Sequence, residues 1–450
     1  MAFIREIKKG SSVYLVRVAS IREDGKVKQR VLEYIGKKES EPQNVEVTSV
    51  KRYADIKVLV ELARELKLPS LLGRHHKSIL AIVIAHLLCK GSILRISSWA
   101  QHTLLFEQLG TAALGTKALY EALDQLNDLP FERVEAALFQ HWIRLSPADT
   151  KCFVLDVTDT YLAGSTLEIK PTKGKDGKVS KLIEVGLVVS FVNGFPMLHK
   201  SYEGNISTFK IFSDLLCSIA ALGLSAIVLD RGFYSEENVG DLKKLGMQVI
   251  VGMKQTPVIQ KKFLDSIDRD TIYSAKNQIA LRDSIVYAQS FAYLGGKLIV
   301  LYNPKLEALK RDKKLLEGAS QKEVKYVGYS LIYHNTREAT ATVVKKYFEK
   351  DVVERSFKSL KGDVQLHPIR LWLPKRVQAH VKLCYLALCL LSLIGYKCRK
   401  LNLSAVQVLD ELQYIYKVHM IHSQTKKQWD KVVTLTNQQK QILKALKCSV

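Results

Sequence analysis

Residues 1–37 alternate apolar and polar positions at a period of two, and 12–19 and 27–35 read as strands around the turn Glu23-Asp24-Gly25-Lys26, a hairpin. The polar run GKKESEPQNV that follows reads as a linker. From about Tyr53 to Leu145 the apolar positions recur at helical spacing, predicting helices over 55–66, 78–89, 93–105, 116–126 and 131–144. Lys90-Gly91-Ser92 separates two of them; an ordinary helical hairpin is favoured there, with a helix–turn–helix presenting Arg95, Ser97, Ser98 and Gln101 to DNA as the alternative. After Lys151 the pattern changes to strands at 152–157, 183–192 and 197–202, a helix at 208–222, a strand at 226–230, a helix at 235–245 and a strand at 248–251. Three strands, helix, strand, helix, strand describe a mixed sheet with helices packed on it. Residues 255–340 mix short strand-like runs (285–293, 297–302, 329–333) with the lysine-rich stretch 305–325, and read as an insertion rather than a continuation. A charged helix, a loop at His367-Pro368, an apolar helix over 376–396 and a helical, basic C-terminal region with Ser404 as the N-cap of a helix over 405–416 complete the pattern.

Charge narrows the partners. Lys+Arg 68 against Asp+Glu 44 leaves a net charge of +24 over 450 residues, the footprint of phosphate neutralisation, with nucleic acid favoured over an anionic membrane. Seven cysteines at scattered spacing, with no CxxC pair, argue for reduced thiols in a cytosol and against a zinc ribbon or a disulfide framework. The N-terminal MAFIREIKKG has no long apolar run, so no secretory leader is expected. The longest apolar segments, 78–89 and 383–396, fall short of the ~20 residues a spanning helix needs and are expected as core helices.

The candidate chemistry lies in three carboxylates. Asp156 and Asp230 each follow a run of apolar strand residues, a position suited to the carboxyl edge of a sheet, where α/β folds place ligands; a turn or helix-cap role is the alternative for either one alone. Arg231-Gly232 after Asp230 suggests a sharp turn that leaves the carboxylate open. Downstream, Tyr347, Lys350, Glu354, Phe357 and Lys361 are spaced +3, +4, +3 and +4, which stacks them along one helix face. Asp156, Asp230 and Glu354 make a hard oxygen set of the kind that binds Mg²⁺ or Mn²⁺. Two such ions about 4 Å apart serve in-line phosphoryl transfer, with the lysines near Glu354 on the DNA backbone.

These residues resemble the DDE transposases of bacterial insertion sequences. Asp156-Val157-Thr158, Asp230-Arg231-Gly232 and Tyr347-x2-Lys350-x3-Glu354-x6-Lys361 are similar, in order, to the branch marked by Y-x2-R-x3-E-x6-K. Gly204-Asn205 with Thr208, Gly328-Tyr329 with Asn335-Thr336, Pro368 with Arg376-Val377-x2-His380, and the hairpin segment from Val31 to Gly36 fit the same branch, so the resemblance runs over nearly the whole chain. It implies an α/β fold with an RNase H-like mixed-sheet catalytic core at 150–254 and 341–400. A β-rich insertion at 255–340 would divide that core, and the 123 residues between Asp230 and Glu354 leave room for it. An N-terminal β-hairpin (1–40), a helical DNA-end-binding region (50–147) and a helical C-terminal region (401–450) complete the expected organisation. The family further implies catalysis and metal binding by Asp156, Asp230 and Glu354 with two Mg²⁺ ions (or Mn²⁺), and DNA contacts by Tyr347, Lys350, Lys361 and Arg231. The expected partners are terminal inverted repeats and target DNA, bound by a homodimer or higher multimer in the bacterial cytoplasm at the nucleoid, with no membrane. Relatives in this branch often pass through a hairpin intermediate and hold a flipped base with a tryptophan in the insertion. Here Trp99, Trp142, Trp372 and Trp429 all lie outside 255–340, which leaves Tyr287, Phe291, Tyr293 and Tyr302 to stack. The branch arginine is Lys350 in this chain: the charge is kept and the bidentate fork is lost.

Asp159 competes with Asp156 as first ligand, but strand alternation puts it on the opposite face. Glu349 competes with Glu354 and lies off the stripe. His199 and His380 are expected to be structural. Two further functions stay open at this level, a nuclease without strand transfer and a catalytically dead DNA-binding derivative.

Overall fold

The computed structural model describes residues 2–10, 12–23, 26–38, 45–150, 152–163, 168–175, 177–204, 206–320, 324–423 and 425–450. The chain divides into two units, Met1–Lys51 with Tyr416–Val433, and Arg52–Ile415 with Thr434–Val450. In the first unit, β1 (Ala2–Lys9), β2 (Ser12–Glu23) and β3 (Lys26–Lys37) form an antiparallel sheet in that order. The expected β2–β3 pairing is present, although Asp24 and Gly25 of its turn lie outside the described residues, as does most of the expected linker. Strand β1 lies in the stretch 1–37 that alternates at a period of two, although the sequence reading bounds no strand there; eight register pairs with β2, from Ala2↔Ala19 to Lys9↔Ser12, hold it. Strand β4 (Val45–Arg52) belongs to a second sheet described below.

The second unit begins with α1 (Ala54–Glu65), α2 (His76–Cys89), α3 (Ile93–Gln101), α4 (Thr116–Asp128) and α5 (Phe131–Leu145). The helix expected over 93–105 ends at Gln101, and a short helix, Leu105–Leu109, follows. The Thr103 hydroxyl explains the break: it donates to the Ala100 carbonyl and accepts from the Leu105 amide, competing with the helical ladder. The axes flanking Lys90-Gly91-Ser92 bend by 86°, close to a helix–turn–helix angle and far from an antiparallel hairpin. Arg95, Ser98 and Gln101 are exposed on α3, while Ser97 donates inward to the Leu114 carbonyl.

The sheet comprises β5 (Phe153–Tyr161), β8 (Leu182–Ser190), β9 (Pro196–Glu203), β10 (Ala226–Leu229) and β11 (Gln248–Met253); the small pair β6 (Thr172–Lys173) and β7 (Val179–Ser180) lies in the connection from β5 to β8. Helices α6 (Thr208–Ala221) and α7 (Glu236–Lys244) connect its later strands, and Ser207 and Ser235 cap them. The order β9-β8-β5-β10-β11, antiparallel across the first three and parallel from β5 to β11, is the mixed RNase H-like arrangement. Strands β12 (Gln278–Ala280), β13 (Ile285–Tyr293), β14 (Gly296–Tyr302) and β15 (Tyr329–His334), with α8 (Pro304–Leu316) between the last two, come from the segment expected to stand apart. It continues the sheet instead: β15 pairs antiparallel with β11, and β14, β13 and β12 follow outward, giving nine strands. Asn335, part of a motif noted in the sequence, ties this junction by accepting from the Val249 amide at 2.6 Å and donating to the Met247 carbonyl at 3.3 Å.

Beyond the sheet come α9 (Thr340–Glu349), α10 (Asp351–Gly362), α11 (Pro374–Cys398) and α12 (Ala405–Leu412), the last with a Ser404–Gln407 capping box. Helix α11, with the turn to Leu401, is long and apolar enough to cross a membrane, yet 78% of its most apolar stretch is buried inside the protein. The C-terminal region is not wholly helical, contrary to expectation. Strands β16 (Tyr416–His422) and β17 (Gln428–Val432) form a hairpin that pairs with β4, and only then does α13 (Asn437–Leu446) follow. Lys417, Val418, His419, Met420 and Ile421 each face a partner on β17, so cross-strand pairing overrides a segment with no strong local preference.

One buried knot holds the helical region to the sheet. Trp142 of α5 is fully buried, stacks on Phe195 at 4.1 Å and donates its indole N–H to Asp149 at 2.7 Å. The same carboxylate accepts from the Asn193 backbone amide at 3.2 Å and from its side-chain amide at 2.7 Å, which pins the β8–β9 turn.

Candidate active site

Strand register decides the first contact. β10 runs parallel to β5 with Leu229 opposite Leu155, so the next residue on each strand, Asp230 and Asp156, stand beside one another. Asp156 lies within β5 rather than near its end, because the antiparallel partner β8 continues the ladder to Tyr161↔Leu182. Its Oδ1 accepts from the Val157 amide at 2.7 Å. Burial pushes the Asp156 carboxyl above its usual range; the Val157 amide, Lys175 and Lys350 oppose that push and the Asp230 charge adds to it. Asp230 follows directly on β10, and the chain leaves through a 3₁₀ turn, Arg231–Phe233, with Arg231 exposed. Gly232 does not use a positive φ, so the open position of Asp230 owes nothing to glycine's freedom.

The stripe from Tyr347 to Lys361 spans two helices. α9 stops at Glu349 and α10 starts at Asp351, with Lys350 (φ −59°, ψ −10°) at the joint, which puts Asp351 and Glu354 in the first turn of α10, where the helix dipole favours carboxylates. Lys350 Nζ lies 3.3 Å from Asp230 and 3.9 Å from Glu354, so one ammonium links two of the three expected ligands. The Tyr347 hydroxyl donates to Asp230 at 3.5 Å, and burial, with the nearby Asp230 charge, keeps its proton firmly bound. Gly252 makes room for that ring: a Cβ there would stand 2.2 Å from the Tyr347 oxygen. Phe357 departs from the stripe and is buried with Val353 and Leu360, while the Glu354 side chain is 65% exposed.

Lys361 points elsewhere. It pairs with Asp159 at 3.2 Å, and Asp159 also accepts from the Lys175 amide at 2.6 Å. Burial alone would raise the Asp159 carboxyl, but these two partners more than offset it and hold it below its usual range. Asp159 is therefore committed to lysines, in keeping with its place on the other face of β5. Lys175, which the sequence reading did not single out, bonds the Val157 carbonyl and acts electrostatically on Asp156. The lysine- and glycine-rich run from Lys170 to Lys178 was the available signal. Among the described residues the three carboxylates do not gather within 4.8 Å of one another. The donor set nonetheless suits a hard divalent cation: two adjacent carboxylates repel, one is driven toward neutrality by burial, and the third stands across a shared ammonium.

The other singled-out residues have structural partners. His199 is bound to the buried Glu135 at 2.6 Å, and Arg376 grips Asp124 through two contacts of 2.9 Å. Of the aromatic stacking candidates, Tyr302 is buried and bonded to Glu307, while Tyr287, Phe291 and Tyr293 pack against the core. Asn205 lies outside the described residues.

A family model described as Transposase DDE domain matches residues 147–390. No curated protein matches the chain. Among solved structures the chain is similar to piggyBac transposase in a cryo-EM synaptic complex with hairpin DNA, at 9% identity over 80% of this chain and 76% of that one, with a TM-score of 0.45.

Proposed function

Since the chain belongs to the family of DDE-domain transposases, and is thus a DNA transposase and a metal-dependent phosphoryl-transfer enzyme, we propose that Asp156, Asp230 and Glu354 are its catalytic carboxylates. The register that sets Asp156 beside Asp230, with Lys350 joining Asp230 to Glu354, supports this most directly. Families of this kind use divalent metal; two Mg²⁺ ions, replaceable by Mn²⁺, are the proposed occupants, held by those three side chains. Such ions supply Lewis-acid activation of the attacking oxygen and stabilisation of the leaving one.

The chain's own residues orient the DNA. Arg231 and Lys350 offer positive charge at the open edge of the sheet, and the Tyr347 hydroxyl holds Asp230 in place. Lys361 acts from one step back: by neutralising Asp159 it leaves Asp156 as the carboxylate of β5 free to take a cation. In the proposed reaction, water attacks the phosphodiester at an element end, the P–O3′ bond breaks, and the departing 3′ oxygen takes up a proton. The freed 3′-OH then attacks a target phosphodiester and displaces its 3′ oxygen in cut-and-paste transposition. The α2–α3 pair, bent by 86° with Arg95, Ser98 and Gln101 outward, is the proposed reader of the terminal inverted repeats. A homodimer or larger multimer would hold two ends, in the cytoplasm at the nucleoid and with no membrane involved.

The test is a Mg²⁺-dependent cleavage and strand-transfer assay on the element's own ends. Asp156→Ala, Asp230→Ala and Glu354→Ala should each abolish cleavage and leave end binding intact. Full nicking by the Asp230→Ala protein would sink the assignment.

A further inference from the structure

Away from the carboxylates, His86 of α2 meets His380 and Cys384 of α11. The spacing His380-x3-Cys384 sets both side chains on one face of α11, toward α2. The Cys384 sulfur lies 3.6 Å from His86 Nε2 and 3.5 Å from His380 Nε2, and one ligand atom from each residue falls within 4.8 Å of the others. With Zn–S of about 2.3 Å and Zn–N of about 2.0 Å, a tetrahedral ion spaces sulfur from nitrogen by about 3.5 Å. From this match we propose that His86, His380 and Cys384 bind one Zn²⁺ ion, or a similar late first-row divalent cation.

Three properties of the surroundings bear on the site. Both imidazoles line a cavity of about 430 Å³, which supplies room for a water as fourth ligand. Burial holds both rings neutral, the form that ligates, but it also raises the Cys384 thiol well above its usual range, so the incoming cation must itself displace that proton. Lys90 and Lys361 line the same cavity and oppose a bare dication, so binding requires the thiolate, whose charge offsets one of the ion's two. The thiol proton leaves to solvent. The bound ion would clamp α2 to α11 beside the loop at Leu366, whose carbonyl lies 3.2 Å from His380 Nε2. The competing arrangement is a metal-free knot in which His380 donates to that carbonyl and Cys384 bonds the imidazoles.

The test uses the full chain purified without chelator, loaded with Zn²⁺ or Co²⁺ and dialysed against excess Mg²⁺. About one equivalent of Zn²⁺ per chain should be retained. The Co²⁺ form should show tetrahedral visible bands and a near-ultraviolet thiolate-to-cobalt charge-transfer band. Cys384→Ser should lose that band and the retained equivalent. Glu354→Ala should keep both, which separates this site from the carboxylates. An octahedral cobalt spectrum without the thiolate band in the wild-type protein would overturn the proposal, even if Cys384→Ser failed to fold. Neither result bears on cleavage, so this proposal and the transposase reading fail independently.

Discussion

Replacing Lys350 by methionine tests the electrostatics of the site. The ammonium stands 3.3 Å from Asp230 and 3.9 Å from Glu354, and a cation shared by those carboxylates must compete with it. Across 3.3 Å the attraction between unit charges is about 1.3 kcal/mol at the dielectric of water and about 5 kcal/mol at an effective value of about 20. Asp230 is 43% exposed, which puts the pair toward the screened end, and ordering the lysine chain takes back part of the gain. A net hold of about 1–2 kcal/mol follows, equivalent to about 5- to 30-fold in metal affinity. Lys350→Met should therefore bind Mn²⁺ about 5- to 30-fold more tightly in the absence of DNA, measured by calorimetry or by the loss of the free-ion EPR signal. The same protein at saturating metal should cleave element ends more slowly, because the phosphate loses its cation. Lys350→Arg keeps the charge, restores a bidentate fork and should cleave at least as well as the wild type. Unchanged or weaker Mn²⁺ binding by Lys350→Met would refute the idea that this ammonium competes for the ligand oxygens.

Three further outcomes follow from the packing. Gly252→Ala puts a Cβ 2.2 Å from the Tyr347 oxygen and 3.1 Å from Arg231 Cβ, so the ring must leave Asp230; cleavage should drop well beyond any loss of end binding, as gel shift and nicking assays on one preparation would reveal. Trp142→Ala removes a fully buried ring stacked on Phe195 and frees one donor from Asp149; it should cost about 3–5 kcal/mol in urea unfolding, and a loss under about 1 kcal/mol would contradict the packing described. Asp124→Asn should lower the melting temperature at neutral pH. Hydrogen bonding and charge from Arg376 depress the Asp124 carboxyl, so its contribution is present above the ordinary carboxylate range and disappears as pH falls through its lower folded value. The melting difference between variant and wild type should close on that acid side; a difference that persisted there would point to packing rather than charge.

Local periodicity in the sequence was enough for most elements of the catalytic core. The expected helix starts at Ile93, Thr116, Phe131 and Thr208 and the strand over 285–293 coincide with those of the structure, because burial recurs every 3.6 or every two residues and leaves its mark on the chain. The order of the three carboxylates and of the motifs around them was legible for the same reason: each is a short, contiguous pattern. Pairing between distant segments was not. That β15 joins β11 and carries β12–β14 into one nine-stranded sheet depends on which edge is open when the chain returns, and no local pattern records that. The conversion of the C-terminal stretch to a hairpin beside β4 and the commitment of Lys361 to Asp159 have the same origin, since each is decided by a partner far away in sequence. Lys175 escaped notice because its neighbours, Asp156 and Asp159, lie across a turn that only the fold closes. The sequence by itself thus determined which chemistry the chain carries, through residue type and short-range spacing. Tertiary structure alone decided which cation faces which carboxylate, because electrostatic energy depends on distances of a few ångströms between groups up to two hundred residues apart.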